Sequence, residues 1–156
     1  MQLDVVLQIF AAFEQEGVRY KVVGAVAINL LGLARGTDDL DIFVEPTRAN
    51  VERMRRALKS VFEDPAIDEI TAEELLGDYP AIQYNPPEGT FHIDIMQRLG
   101  EAFGYEDIEV EILNVEGIQV PVATARMVYE MKKDTVRSQD RADAERLRVH
   151  FKLDED

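Results

Sequence analysis

The stretch from Tyr20 to Pro46, YKVVGAVAINLLGLARGTDDLDIFVEP, limits the possible folds more than any other part of the chain. It reads as a strand over Arg19 to Val23, a turn at Gly24, a short helix over Ala25 to Leu33, a polar loop and a second strand. Val26, Ile28, Leu30 and Leu31 make the helix apolar almost all round, which predicts burial. On the second strand Asp39 and Asp41 stand two residues apart and project to one side, while Leu40, Ile42 and Val44 go to the other. One side packs and the other carries charge. By the same alternation Asp38 faces away from the pair, and Glu45 reads as a solvated strand end.

Two like charges held side by side on a rigid strand raise each other's pKa unless something positive sits between them. Mg²⁺ is the usual remedy, since it takes one or two carboxylates and completes its octahedron with waters and phosphates. A calcium loop fits poorly, because Leu40, Ile42, Phe43 and Val44 are apolar and no Gly stands at the sixth loop position. Gly24 lacks a Cβ where a strand gives way to a helix, so that turn suits a phosphate. The two halves of the stretch therefore suit one ligand, a metal-bound nucleoside polyphosphate.

The remaining pattern places these residues in an α/β chain. Leu3 to Gln15 sets Leu3, Val6, Leu7, Phe10 and Phe13 at helical spacing, with Gly17 as the stop. Thr47 caps a helix over Arg48 to Val61, whose Val51, Met54, Leu58 and Val61 form a core stripe, and Asp64-Pro65 breaks it. Thr71 and Glu74 form a capping box for a short helix ending near Gly77. Ala81 to Asn85 and Thr90 to Met96 are strands of a hairpin about Pro86-Pro87-Glu88-Gly89. On the return strand Phe91, Ile93 and Ile95 face a core, leaving His92, Asp94 and Met96 opposite. A carboxylate at Asp94 is costly there unless it is paired or bound to a metal. Gly100 to Gly104 reads as a mobile loop. Ile108 to Asn114 and Ile118 to Val122 form a second hairpin around Glu116-Gly117. A helix with Met127, Val128 and Met131 inward follows Ala123-Thr124 and ends at Lys132-Lys133-Asp134, and Ser138 caps the last helix. By position alone Lys132 and Lys133 are cations at a helix C-terminus, and Arg35 is a loop arginine.

Bulk properties narrow the classes. The chain has 156 residues, 46% apolar and 31% charged, which suits one soluble globular domain over 1–156. No cysteine is present, which removes disulfides and thiol chemistry. The first residues carry an acid at Asp4 and no basic leader, and no apolar run approaches membrane-spanning length, so a cytoplasmic location is expected. A net charge of −14 argues against binding along a nucleic-acid backbone. It leaves room for a nucleotide, or for an RNA end docked on a local basic face such as Arg53, Arg55, Arg56 and Lys59 on one helix or Arg137, Arg141, Arg146, Arg148 and Lys152 along the last.

Gly24-Ala25, Arg35-Gly36-Thr37 and Asp39-Leu40-Asp41-Ile42 resemble the Gly-[Gly/Ser] … Arg-x-Thr-x-Asp-hydrophobic-Asp signature of the DNA polymerase beta-like nucleotidyltransferase superfamily. Within it the chain looks like the small bacterial proteins related to AbiEii toxins of toxin–antitoxin systems. Ala25 stands where that signature has Gly or Ser, which keeps backbone N–H donation and drops a hydroxyl. Met131-Lys132 … Arg137-Ser138-Gln139-Asp140-Arg141-Ala142-Asp143 resembles a second block, Met-Lys … Arg-x-Lys-Asp-x-x-Asp, with Gln139 in place of its Lys.

The resemblance implies a mixed, twisted sheet flanked by helices, and a Mg²⁺- or Mn²⁺-dependent transfer of a nucleoside monophosphate from a nucleoside triphosphate to a hydroxyl. Asp39, Asp41 and Asp94 would be the metal ligands and catalytic carboxylates. Gly24, Ala25, Arg35, Thr37, Lys132 and Asp140 would serve the nucleotide and its phosphates. The acceptor would be an RNA end, a protein or a small molecule, and a cognate antitoxin is an implied partner. The alternative is a catalytically silent domain of the same fold that binds a protein partner.

Overall fold

The computed structural model describes residues 3–77, 81–87 and 91–153. Helix α1, Leu3–Glu16, buries Val6, Ile9, Phe10 and Phe13. Leu3, expected in the buried stripe, is 62% exposed; it lies at the helix start, beyond the sheet that covers the later turns. Strand β1, Tyr20–Val23, runs into α2, Gly24–Leu30, and then β2, Asp39–Val44. Helix α2 stops short of Leu33 because Gly32 takes φ +107° and turns the chain away. Helix α3, Arg48–Val61, is capped as its sequence predicts, with Thr47 accepting from the Asn50 N–H.

A 3-10 turn over Pro65–Glu69, capped by Asp64, leads to α4, Ala72–Leu76, where Thr71 accepts from the Glu74 N–H. Strands β3, Ala81–Tyr84, and β4, His92–Met96, form the predicted hairpin. Glu88, Gly89 and Thr90 of its turn lie outside the described residues. The segment expected to be a mobile loop is a second, small hairpin of β5, Arg98–Leu99, and β6, Phe103–Gly104. Strands β7, Val110–Val115, and β8, Ile118–Ala123, turn at Glu116 and Gly117, both with positive φ. Helix α5, Ala125–Lys132, has Thr124 as its cap. Ser138 is the first residue of α6, Ser138–Phe151, and not its cap; the capping position is Arg137, which makes no side-chain cap bond.

Six strands form one mixed sheet in the order β3-β4-β2-β1-β8-β7. Strands β1 and β2 are antiparallel, whereas β2 and β4 run parallel, as do β1 and β8. Leu40, Ile42, Ile93 and Ile95 join the buried faces of α1 and α3 in one core. Helices α5 and α6 pack on each other, and α5 also touches α2. Asn50, fully buried, ties the ends of β1 and β2 together. Its Oδ1 accepts from the Arg19 N–H at 2.7 Å, and its Nδ2 donates to the carbonyls of Arg19 and Glu45 at 2.9 Å each. The two strands that lead to Gly24 and Asp41 therefore start and end from a fixed frame.

Candidate active site

Alternation and register assemble the site. In the parallel β2–β4 pair Asp39 lies beside His92 and Asp41 beside Asp94, and across the antiparallel β1–β2 pair Asp41 lies beside Val23. All three aspartates point away from the face that Leu40 and Ile42 bury. Asp41 is thus held between the end of β1 and Asp94 on β4. Burial first, then a hydrogen bond to Asp94, then the charges of Asp94 and Asp39 push the Asp41 carboxyl up to about 7, against the pull of Lys132. The two carboxyl groups face each other across the register pair.

Gly24 fixes the roof over Asp41. Its φ is +70°, and a Cβ built there would overlap Asp41 Oδ2 and stand 3.2 Å from Asp41 Cβ and Cγ. Only glycine meets both demands. Ala25, next in the chain, is buried and does not line the cleft.

Cations come from the second half of the chain. Lys132 Nζ donates to Asp140 Oδ1 at 3.1 Å and Asp143 Oδ2 at 2.9 Å. Asp143 Oδ1 accepts from Arg35 Nε at 2.9 Å. Burial alone would raise the Asp143 pKa, but its bonds to Arg35 and Lys132 and their charges outweigh that and lower it. Asp140 Oδ2 takes a further bond from Thr135 Oγ1 at 3.1 Å.

Gly24, Asp41, Asp94, Lys132 and Asp140 line one open cleft of about 570 Å³. Asp39 shares the face and its charge reaches Asp41, but it stands outside the cleft lining. Arg35 and Thr37 line a separate hollow of about 300 Å³ between α1 and α2. Their observed contacts hold the chain: Thr37 Oγ1 accepts from the Asp39 N–H at 3.0 Å, Asn29 brackets the Arg35 backbone with bonds of 2.6 and 2.7 Å, and the Arg35 guanidinium bonds the Gly36 carbonyl. Arg35 thus meets the cleft through Asp143.

Asp143 entered the sequence reading only as the last residue of the second block, without a role, and Asn29 escaped it. Asp143 carried a signal, since it follows Asp140 at helical i,i+3 spacing and so shares its face. Asn29 carried none, because its role depends on a loop that returns to the helix. On α3, Arg55 bonds Glu52 and the Ile70 carbonyl, Arg56 pairs with Glu16, and Lys59 with Asp68.

Among the described residues no three acids or histidines converge as a ready-made metal cage. The donor set still suits a hard divalent ion. Asp41 and Asp94 face each other in register and offer oxygen only, and Mg²⁺ needs just one or two carboxylates.

No protein-family model matches the chain, and no curated protein matches its sequence. Solved structures do match its shape. The lincosamide antibiotic adenylyltransferase LnuA, bound to lincomycin, superposes with a TM-score of 0.65 at 14% identity, covering 95% of this chain and 97% of that one. ANT(2")-Ia in complex with adenylyl-2"-tobramycin gives 0.53 at 14% identity, over 96% and 90% of the two chains. A Thermotoga maritima protein described as a candidate nucleotidyltransferase gives 0.54 at 17% identity, over 96% and 92%. The chain has the nucleotidyltransferase fold. A nucleotidyltransferase fold in so short a chain leaves few elements to spare, and β1, β2, β3, β4, α2, α5 and α6 all contribute to the one cleft or its rim. No helix among the described residues is long and apolar enough to cross a membrane.

Proposed function

We propose that this protein transfers a nucleoside monophosphate from a nucleoside triphosphate to an acceptor hydroxyl. The acceptor oxygen forms a bond to the α-phosphorus, the bond to the β-phosphate oxygen breaks, and pyrophosphate leaves. One observation carries the reading: Asp41 sits in register beside Asp94, under a glycine that admits no Cβ, in a cleft that also holds Lys132. Asp41 and Asp94, with Asp39 behind them, would hold Mg²⁺ or Mn²⁺, which when bound polarises phosphoryl oxygens and neutralises their charge. Asp94 accepts the proton of the acceptor hydroxyl. Gly24 lets the triphosphate approach the backbone. Lys132 supplies positive charge as negative charge builds on the leaving pyrophosphate, and Arg35 and Asp140 hold it in place with Asp143.

The antibiotic adenylyltransferases of the same fold favour a small-molecule acceptor. The resemblance to AbiEii-type proteins favours a toxin whose acceptor is an RNA end or a protein and whose cleft a cognate antitoxin would cover. A second reading, a silent domain that binds a protein partner, draws on the matching of Lys132 by Asp140 and Asp143 before any nucleotide arrives.

Thermal unfolding of the wild type and Asp41→Asn against ATP, CTP, GTP and UTP, with Mg²⁺ or with chelator, separates these readings. At a hundredfold excess over Kd a ligand stabilises the folded state by about 2.7 kcal/mol. A Mg²⁺-dependent rise with a triphosphate, absent in Asp41→Asn, is expected. A flat response to all four moves the weight to the silent domain.

A further inference from the structure

The cleft has two chemically distinct sides. The α5–α6 side carries its cations, Lys132 and Arg137, and both face Asp140, at 3.1 and 3.9 Å. The sheet side extends from Asp94 toward the β3 edge. Register sets Gln83 beside Asp94 and Ala81 beside Met96, and Gln83 Nε2 lies 3.4 Å from Asp94 Oδ1. Beyond Asp94, residues Ala81, Ile82, Gln83, Met96 and Leu99 form an arm of the cleft whose described lining holds one amide and no charge. Arg98 precedes Leu99 on β5 but stands outside the lining. The mouth is apolar as well: Leu99 is 45% and Val136 90% exposed, and both line the same cleft.

Resting on the nucleotidyl-transfer reading, we infer that this arm is the acceptor subsite and that the acceptor is an uncharged, amphipathic hydroxyl compound. An acceptor that gives its proton to Asp94 must lie on the β3–β4 side of it, against Gln83, Met96 and Leu99. A nucleic-acid end brings phosphates, and among the described residues this wall has no cation to meet them. A polycationic amino sugar needs free acids; of the carboxylates lining the cleft, Asp41 and Asp94 face each other in register and Asp140 holds Lys132. An apolar face with a hydroxyl presented to Asp94 and a polar group to Gln83 fits both kinds of wall atom.

Octyl glucoside, an uncharged probe with an apolar tail and free hydroxyls, tests the arm by saturation-transfer NMR below its micelle concentration. Binding is expected to wild type, to weaken about tenfold in Leu99→Asp, and to survive Ile112→Asp, a more exposed apolar residue on the far edge strand. Met96→Lys repeats the test inside the cleft, with circular dichroism confirming the fold of each variant. A short RNA with a free 3′ hydroxyl and a polycationic amino sugar should neither displace the glucoside nor raise pyrophosphate release from Mg²⁺ and triphosphate. Displacement by either, or glucoside binding indifferent to Leu99 and Met96, overturns the inference. A missing triphosphate shift beside Leu99-sensitive glucoside binding sinks the transfer reading alone, leaving the arm as a subsite for amphipathic ligands.

Discussion

Two groups of charges less than one domain's width apart are built on opposite plans. Around Asp143 the signs match: Arg35 and Lys132 meet Asp143 and Asp140, all with side chains no more than 18% exposed. Around Asp41 they do not, since its nearest charged neighbours on the sheet are Asp39 and Asp94. The matched cluster is structure and holds the loop before β2 against α6. The unmatched pair brings like charges together, and its cost falls on Asp41, whose carboxyl is pushed up by burial and by Asp94. Burial of charge therefore serves two ends here, and mutation should separate them by the sign of the effect.

The largest effect is expected at the matched cluster. Asp143→Ala leaves Arg35 and Lys132 without their common partner, and breaking such a buried pair costs ~3–5 kcal/mol. Urea unfolding of the variant reads that loss; a change below about 1 kcal/mol would show that the cluster is not structural. Next is Gly24→Ala, which forces a side chain into the left-handed region and onto Asp41. A loss of about 1–3 kcal/mol is expected, together with loss of the triphosphate-induced rise in melting temperature. A stable variant that still responds to triphosphate would show that the glycine is not required by the site.

Smallest, and opposite in sign, is Asp41→Asn. The folded-state pKa of about 7 lies above that of the unfolded chain, so between pH ~4 and ~7 the folded protein keeps a proton that the unfolded one has lost. Stability from this group is therefore lost as pH rises through that window. Asp41→Asn removes the penalty and should raise stability by ~1–2 kcal/mol at pH 8, a few degrees in Tm, with no gain near pH 4. Paired melting curves at the two pH values decide it, and a gain equal at both would trace to packing instead of charge.

The sequence made the unmatched pair legible and hid how the matched residues pair with one another, for a physical reason. Asp39, Asp41 and Asp94 lie on strands whose alternation shows which face each takes, and Gly24 marks a turn by its type alone. The bond of Arg35 to Asp143 spans residues on an irregular loop and a distant helix, and no local period relates them. Helix caps followed the same logic. Thr47 and Thr124 stand at the junctions the pattern predicts, whereas Ser138 missed its role by one position because nothing local distinguishes a cap from the first helical residue. The β5–β6 hairpin was hidden by its length, since two residues per strand cannot show alternation.

The parallel pairing of β1 with β8 has a temporal consequence. Ribosomes build the carboxylate strands β2 and β4 well before β8, α5 and α6, so a nascent chain carries Asp41 and Asp94 without Lys132 and without the neighbour that flanks β1 in the finished sheet. Contacts between such distant segments are closed late and slow the folding of the whole. Synthesis alone thus keeps the cleft incomplete until α5 and α6 have been made.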